Sequence, residues 1–326
     1  MKAIVVGLGS MGKRRIRLLQ KFHQITQILG VDSREDRRTE VEEKFGCTTF
    51  SSIAEAAAHC TEGDCGLVCT SPLSHNAIIR ELLGYKLHVF TEINLVADGY
   101  EENMRLAKDS ERVLFLSSTF FYREEVRYIR EKIRGKQDLN YIYHIGQYLP
   151  DWHPWESYKD YFIGNKRTNG CREIMAIDFP WLMDTFGDVK QMNVLSDKIT
   201  QLHIDYKDNY MIQFVHENGI KGCVIVDIVS PKAGRSFEVY GENLHIGWDG
   251  TATGLTWFDP EEKVVKPVNL YDTIDQQAGY RAMIVENAYE EEIRQFLNAI
   301  EGISVPPYGF AEDLKVLKLI DRIEGV

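Results

Sequence analysis

The sequence lacks any apolar run long enough to cross a membrane, since no stretch approaches the roughly 18 consecutive apolar residues that a spanning helix needs. The opening segment MKAIVVGLG holds one lysine and a very short apolar run that ends in glycines. A secretory signal has a longer apolar region followed by a cleavage site. The sequence therefore predicts a cytoplasmic protein that has no membrane partner.

Positive charge is scarce relative to negative charge. The chain has 38 Lys and Arg residues against 49 Asp and Glu residues, which gives a formal net charge of −11. Because such a protein repels nucleic acid and anionic lipid, we expect neither as a partner. Two local exceptions, residues 13–15 and 34–38, are interpreted as solvated helix faces rather than binding patches.

Cysteine is also sparse, and its spacing suits neither a disulfide scaffold nor a zinc site. Cys60, Cys65 and Cys69 lie near His59, but Cys69 belongs to the apolar strand pattern GLVCT. None of the cysteines forms a CxxC pair; they stand at positions 47, 60, 65, 69, 171 and 223. This pattern predicts reduced, buried thiols and no metal site.

The first 120 residues alternate between strand and helix patterns. KAIVVG is a β-branched run, SMGKRRIRLLQKFHQ has helical spacing of apolar residues, and the alternation continues through SHNAIIRELLGY, LHVFTE and VLFLSST. Strands that alternate with helices of about 10–15 residues indicate βαβ units. The predicted fold class is therefore α/β, with a doubly wound parallel sheet in a dinucleotide-binding domain over residues 1–120.

The rest of the chain, residues 121–326, has longer strand patterns such as YIYHIGQYL, YMIQFVH and IKGCVIVDIVS, with turn signals at HENG and YGEN. These features predict an α+β domain with a large, mostly antiparallel sheet. One face of these strands is apolar and no helix pattern covers it, so we expect a homodimer or homotetramer built through the sheet. The last helix, at about residues 311–324, is predicted to pack back on the first domain.

A glycine-rich segment, GLGSMG at residues 7–12, follows the first strand and opens a helix. In this context the first glycine allows a tight turn, the second lets the backbone approach a pyrophosphate, and the third permits close helix–strand packing. The free N–H groups at the helix start then bind the anion. A glycine turn without a ligand is the weaker interpretation, because an acid follows at the expected distance.

That acid is Asp32, which ends the second strand pattern. A carboxylate at this place binds the ribose hydroxyls of adenosine and repels a 2′-phosphate, so it favours NAD as the cofactor. NADP stays open as an alternative, because Arg34, Arg37 or Arg38 would accept the phosphate if its side chain turned inward.

These segments together resemble the glucose–fructose oxidoreductase/inositol dehydrogenase (Gfo/Idh/MocA) family. Its members share the GxGxxG start, an acid after strand two, a TxPxxxH turn and GKHVFCEKPL; the chain reads GLGSMG, VDS, CTSPLSH and YKLHVFTEINL in the same order. The resemblance covers nearly the whole chain. It implies a Rossmann domain, a large open-faced sheet that often serves oligomerisation, and NAD(P)-linked chemistry on a sugar, polyol or related carbonyl compound.

The motifs and the resemblance together predict a set of cofactor-binding residues from the glycine-rich loop, the acid after strand two, the CTSPLSH turn and the strand end at HVFTEI. They are Gly7, Gly9, Ser10, Met11, Gly12, Asp32, Ser33, Thr70, Pro72, His75, Glu92 and Ile93.

Two catalytic elements of the family are altered here. The chain has Glu92-Ile93-Asn94 where the family has Glu-Lys-Pro, and an alkyl side chain holds no proton. The family's second element is an Asp and a His on the helix after a Gly-rich turn. By alignment the His falls near Ile177 and the Asp near Glu173 or Ile174, and the helix contains no His. The resemblance therefore implies the fold and the cofactor, but not the usual acid/base groups.

The stretch PDWHPWESYKDYF and the residues after it offer replacements. His153 is predicted as the relocated acid/base group because its intrinsic pKa suits proton transfer near neutral pH. Lys166 is predicted as a displaced catalytic cation. The predicted substrate-binding residues are Trp155, Tyr158, Arg172 and Glu173. A structural role fits each of these residues taken singly.

Three functions fit these observations. The first is an NAD(P)-dependent oxidoreductase with relocated acid/base groups that acts on a sugar, polyol or nucleotide-sugar-like small molecule. The second is a cofactor-bound sensor or regulatory protein without turnover. The third uses NAD transiently, for elimination, epimerisation or glycoside cleavage. We rank them in this order.

Overall fold

The computed structural model describes residues 1–154, 156–277 and 281–326. The chain forms two compact units. Unit 1 consists of residues 1–118 and 289–317, and unit 2 of residues 119–288 and 318–326. No helix in these described ranges is long and apolar enough to cross a membrane.

Unit 1 is built around six strands and the helices that connect them. The strands are β1 (Lys2–Val6), β2 (Gln27–Val31), β3 (Thr48–Phe50), β4 (Cys65–Val68), β5 (His88–Thr91) and β6 (Leu114–Leu116), and the connecting helices are α1 (Ser10–Leu19), α2 (Glu35–Phe45), α3 (Ile53–Ala57), α4 (His75–Gly84) and α5 (Tyr100–Asp109). The strands pair in parallel in the order β3-β2-β1-β4-β5-β6. Every residue of β4 and β5 is buried, as expected for central strands covered on both faces. The predicted doubly wound parallel sheet is confirmed.

The basic cluster on α1 does not lie on a solvated face. Arg14 and Arg15 are buried, and Arg15 has no exposed surface. The guanidinium of Arg14 lies over the ring of Tyr289, and that of Arg15 lies 4.5 Å from the ring centre of Phe90. The interpretation of residues 13–15 as a solvated face was therefore wrong for two of the three side chains.

Unit 2 contains a second, larger sheet. Its strands are β7 (Asn140–Gly146), β8 (Val189–Asp197), β9 (Asn209–His216), β10 (Lys221–Asp227), β11 (Gly234–Gly241), β12 (Leu244–Trp248), β13 (Thr256–Asp259) and β14 (Val264–Pro267). The remaining helices of the chain are α6 (Glu124–Ile133), α7 (Gly170–Phe186), α8 (Glu286–Ile300) and α9 (Phe310–Glu324). The strand order is β14-β13-β12-β11-β7-β10-β9-β8, and every pair is antiparallel except β7 with β10. The predicted mostly antiparallel sheet is confirmed.

The two faces of this sheet differ in cover. One face packs on α7 through aromatic rings: Tyr141 stacks on Phe186 at 4.1 Å, and Trp181 meets Phe237 edge to face. The other face carries Ile142, Met211 and Leu195, which are 42%, 48% and 64% exposed. Residues 189–277 form strands and turns but no α-helix, so no helix from this stretch covers the second face.

Candidate functional site

The glycine-rich loop at residues 7–12 has the geometry that a pyrophosphate needs. Gly7 has a φ of +92°, and a Cβ built on it would lie 2.7 Å from the carbonyl oxygen of Cys69. A Cβ on Gly12 would lie 1.9 Å from the carbonyl oxygen of Gly7, so only glycine lets α1 approach β1 this closely. No side chain caps the first turn of α1 and no acid lies in it, which leaves its N–H groups for an anion.

Asp32 lies directly after β2 and is tied to the glycine-rich loop. Its Oδ2 accepts a hydrogen bond from the N–H of Leu8 at 2.8 Å, and its Oδ1 accepts one from the N–H of Arg34 at 3.0 Å. These bonds hold the carboxylate beside the loop, where the ribose of a dinucleotide binds.

Of the three arginines that follow Asp32, Arg37 is the one turned toward the loop. Its Nη1 lies 3.5 Å from Oδ2 of Asp32 and is the nearest atom, at 3.7 Å, to a Cβ built on Gly9. Arg34 forms an ion pair with Asp36, and Arg38 donates to the backbone carbonyl of Asp32. An acid and an arginine at the ribose position suit either a 2′-hydroxyl or a 2′-phosphate.

The turn after β4 and the end of β5 are joined through His75. Its Nδ1 lies 2.7 Å from Oδ1 of Asn94, and its Nε2 lies 3.1 Å from the carbonyl oxygen of Thr70. Burial lowers the pKa of His75, although these hydrogen bonds oppose the shift. Pro72 is buried in the 3₁₀ turn that precedes α4. Carboxyl ends of parallel strands form the ligand edge of such a sheet, and the cofactor-binding roles of Thr70, Pro72 and His75 stay predictions.

The acid that ends β5 belongs to an ion-pair network inside unit 1. Oε1 of Glu92 accepts from Nε of Arg15 at 2.6 Å, and the other side of the same guanidinium binds Glu292 of α8 at 2.7 Å. Glu292 also accepts from the hydroxyl of Ser117. Glu92 is thus engaged by a buried cation, and the partly exposed Ile93 that follows it carries no acid/base group. The roles of Glu92 and Ile93 beside the cofactor stay predictions.

The predicted catalytic pair of unit 2 lies near the surface. His153 is half-buried, its Nδ1 lies 2.8 Å from Oε1 of Glu156, and its ring stacks on that of Tyr161 with centres 4.6 Å apart. Lys166 is exposed on a short 3₁₀ turn. The hydroxyl of Tyr158 accepts from the N–H of His203, and Trp155 lies outside the described residues. The structure therefore brings His153 and Tyr161 together, and the role predicted for Lys166 stays a prediction.

Arg172 and Glu173 are adjacent in the first turn of α7 but have different surroundings. The guanidinium of Arg172 is bound by Asp321, at 2.6 Å, and by Glu324 of α9. The Oε2 atom of Glu173 has no contact with water and no hydrogen-bond partner among the described residues. Burial raises the pKa of Glu173 to about 8. Arg172 therefore holds two parts of unit 2 together, whereas one carboxyl oxygen of Glu173 has no hydrogen-bond partner among the described residues.

A second carboxylate of α7 was missed by the sequence analysis. Asp178 is fully buried, accepts from the hydroxyl of Tyr143, and forms an ion pair with Arg235 at 2.9 Å. Burial and the charge of Asp178 hold the pKa of Tyr143 well above its usual value. Asp178 directly follows Ile177, the position near which the family's His was expected. Its contacts with Tyr143 and Arg235 join residues that are 35 and 57 positions away, and no local pattern predicts them.

Comparison with known proteins gives a family-model match for the first part of the chain. Residues 1–117 match the Gfo/Idh/MocA model, described as an oxidoreductase family with an NAD-binding Rossmann fold. This match confirms the predicted NAD-binding domain. No curated protein is significantly similar in sequence to the chain.

Solved structures with the same overall fold cover nearly the whole chain. UDP-N-acetylglucosamine 3-dehydrogenase from Acidithiobacillus ferrooxidans is 15% identical, has a TM-score of 0.76, and aligns over 100% of this chain and 97% of its own. Myo-inositol 2-dehydrogenase from Lactobacillus plantarum is 16% identical over 100% and 96%, with a TM-score of 0.78. Biliverdin reductase from Synechocystis, solved with biliverdin and NADP⁺, is 16% identical over 99% and 97%, with a TM-score of 0.76. At these identities the likeness shows the fold alone.

Proposed function

We propose that the protein is an NAD(P)-dependent oxidoreductase that acts on a hydroxyl or carbonyl group of a sugar, polyol or nucleotide sugar. The match of residues 1–117 to the Gfo/Idh/MocA oxidoreductase model supports this proposal. The observation that carries this proposal is the glycine-rich loop, where the close contact of Gly12 with Gly7 and the uncapped start of α1 fit a pyrophosphate. When bound, the nicotinamide exchanges a hydride with the substrate carbon.

The class of substrate is supported by the polar character of the predicted site in unit 2. Its candidate residues include an imidazole, a phenol and a carboxyl group, on His153, Tyr161 and Glu173. Such groups bind hydroxylated compounds through hydrogen bonds. Two of the similar structures are named for activity on UDP-N-acetylglucosamine and myo-inositol, and a third was solved with biliverdin. Since the fold alone does not select among them, the substrate must be found by experiment.

The test is hydride transfer by the full-length chain after removal of any copurified cofactor. Calorimetry with NAD⁺ and NADP⁺ measures binding, and a single-turnover absorbance assay then screens myo-inositol, UDP-N-acetylglucosamine, sugar acids and biliverdin. We expect at least one nucleotide to bind and one hydroxylated compound to reduce it. Absence of nucleotide binding would refute the proposal. Binding of both cofactor and sugar without any absorbance change would instead support a sensor, and product formation without net change of the cofactor would support transient NAD use.

We also propose that unit 2 associates with a second copy through the exposed face of its sheet. Leu195 pairs in register with Met211, Met211 pairs with Ile225, and Cys223 pairs with Ile142, so these side chains form an apolar band on one face of four strands, interrupted by Gln213 and His144. An exposed apolar band of this kind is typical of a protein interface.

Light scattering at micromolar concentration is expected to give the mass of a dimer or tetramer, and the variant Met211→Glu is expected to reduce the apparent mass. A charge in the middle of an apolar interface remains unpaired and desolvated, which weakens association by several kcal/mol, about a hundredfold or more. Val305→Glu is the matched control, since Val305 is 89% exposed and belongs to unit 1 rather than to the sheet of unit 2. A monomeric mass for the unmodified chain would exclude this interface.

A further inference from the structure

The buried imidazole of His75 links the turn after β4 to the segment after β5. The two strands are neighbours, and Val68 of β4 pairs in register with Thr91 of β5. Beyond this pair, Nε2 of His75 lies 3.1 Å from the carbonyl oxygen of Thr70, and Nδ1 lies 2.7 Å from Oδ1 of Asn94. His75 and Asn94 are 2% and 4% exposed, so water has little access to these contacts.

Both neighbours of the ring present an oxygen, which does not suit a neutral histidine. A neutral imidazole has one N–H group and one lone pair, so it donates at one nitrogen and accepts at the other. The carbonyl oxygen of Thr70 and Oδ1 of Asn94 only accept. In either neutral form, therefore, one ring nitrogen would turn a lone pair toward an oxygen. Either both nitrogens of His75 carry protons, or the amide of Asn94 is turned the other way.

The surroundings of the ring favour its neutral form. Burial lowers the pKa of His75 and outweighs the hydrogen bonds and the charge of Glu92, which act in the opposite direction. The carboxylate of Glu92 is itself bound by Arg15 at 2.6 Å. Thr91, whose hydroxyl lies 3.3 Å from Nδ1, and Asn94 carry no charge. An imidazolium here would be a buried cation that no carboxylate of the described residues meets in a hydrogen bond, which is costly.

The amide of Asn94 points to the same conclusion. Its Nδ2 atom is buried and has no partner in hydrogen-bond geometry among the described residues. The oxygen and nitrogen of a side-chain amide have nearly the same shape, so a half-turn exchanges them in the same space. After that turn, Nδ2 donates to Nδ1 of His75, and Nε2 of the ring donates to the carbonyl oxygen of Thr70. Only the amide oxygen is then unpaired, and unpaired carbonyl oxygens are less rare in proteins than unpaired N–H groups.

We propose that Asn94 is a positioning residue, whose amide N–H donates to Nδ1 of His75 and fixes the neutral ring with its proton on Nε2. The ring then holds the carbonyl group of Thr70 in place relative to the end of β5. This inference rests on the proposed function, since the two joined segments carry the predicted cofactor contacts Thr70 and Ile93. The family motif has a proline at the position of Asn94. Because proline restrains the backbone through its own ring, we infer that the bond to His75 supplies the restraint here.

The tautomer of His75 is measured by ¹⁵N NMR on the full-length chain labelled at the histidine ring nitrogens. The resonances of His75 are those that are missing from His75→Gln. At pH 7 we expect a protonated Nε2 and an unprotonated Nδ1 in the wild type. In Asn94→Asp a carboxylate that only accepts replaces the donor, so we expect Nδ1 to gain a proton and the pKa of the ring to rise. A wild-type ring that is cationic at pH 7, or that carries its proton on Nδ1, would overturn the proposal.

The positioning role is tested by calorimetry with NAD⁺ and NADP⁺ on Asn94→Asp and Asn94→Leu. Both variants keep a side chain of similar size and remove the N–H donor. We expect each to raise the Kd of the bound nucleotide by about tenfold, as for the loss of one buried hydrogen bond. His23→Gln is the control, since His23 is an exposed histidine of the same unit, and it is expected to bind like the wild type. Circular dichroism establishes that each variant is folded.

The outcomes separate this inference from the proposed function. If the wild type binds neither NAD⁺ nor NADP⁺, the proposed function fails, and the NMR measurement still decides the tautomer of His75. If the wild type binds a nucleotide and both folded Asn94 variants bind it with unchanged Kd, the proposed function stands and the positioning role of Asn94 is excluded. Lower stability of the variants toward urea with unchanged Kd would show that the amide serves the fold alone.

Discussion

Substitution of Gly12 by alanine is expected to abolish measurable binding of NAD and NADP. The added Cβ would lie 1.9 Å from the carbonyl oxygen of Gly7 and 3.0 Å from its carbonyl carbon, so the first turn of α1 must move away from β1. That movement displaces the N–H groups that we propose bind the pyrophosphate. Because a hydrogen bond to a charged group contributes about 1.5–3 kcal/mol, the loss of two raises the Kd by about a hundredfold or more.

Calorimetry on cofactor-free protein measures this effect, and circular dichroism establishes that the variant is folded. Gly84→Ala is the matched control: Gly84 is an exposed helical glycine at the end of α4, and a Cβ built on it meets nothing within 4 Å. It is expected to bind cofactor like the wild type. If folded Gly12→Ala bound either nucleotide with unchanged affinity, the glycine-rich loop would not be the phosphate site.

The parallel sheet of unit 1 was predictable because its signals are local. Each strand is a short apolar run, and several helices show helical spacing of their apolar residues. The glycine-rich loop lies between one such strand and one such helix. The helix α2 lacked such a signal, since Val41 is its only buried residue. Residues 13–15 were misinterpreted for a different reason: the partner that buries Arg15, Glu292, is 277 positions away in the sequence.

The contacts of the candidate residues in unit 2 were less predictable than the glycine-rich loop, because they join residues that are far apart in the sequence. Arg172 and Glu173 are adjacent and both charged, yet only Arg172 has carboxylate partners, and those lie about 150 positions further along the chain. Asp178 meets Tyr143 from β7 and Arg235 from β11. No periodicity within a segment encodes such meetings, so the roles predicted for His153, Lys166 and Glu173 stay predictions.

Replacement of Arg15 by methionine is expected to destabilise the protein by about 3–5 kcal/mol, because it leaves two acids buried without their cation. Arg15 binds Glu92 at 2.6 Å and Glu292 at 2.7 Å, and the side chains of Arg15 and Glu292 have no exposed surface. Burial alone would lower the pKa of Arg15, but the charges of Glu92 and Glu292 outweigh it and raise the pKa above its usual value. Urea unfolding at constant pH measures the change in the free energy of unfolding.

The pH dependence and a second substitution separate the loss of charge pairing from the loss of packing. Without Arg15 the two acids must take up protons to stay buried, so the destabilisation should be smaller at pH 5 than at pH 8. Adding Glu292→Gln to Arg15→Met removes one of the unpaired charges and should restore part of the stability, whereas independent effects would simply add.

Lys21→Met is the control, since Lys21 pairs with Glu290 at the surface and an exposed pair contributes about 0–1 kcal/mol. The free energy of unfolding could instead fall equally in Arg15→Met and Lys21→Met, at both pH 5 and pH 8. The buried network would then contribute no more to stability than a surface ion pair.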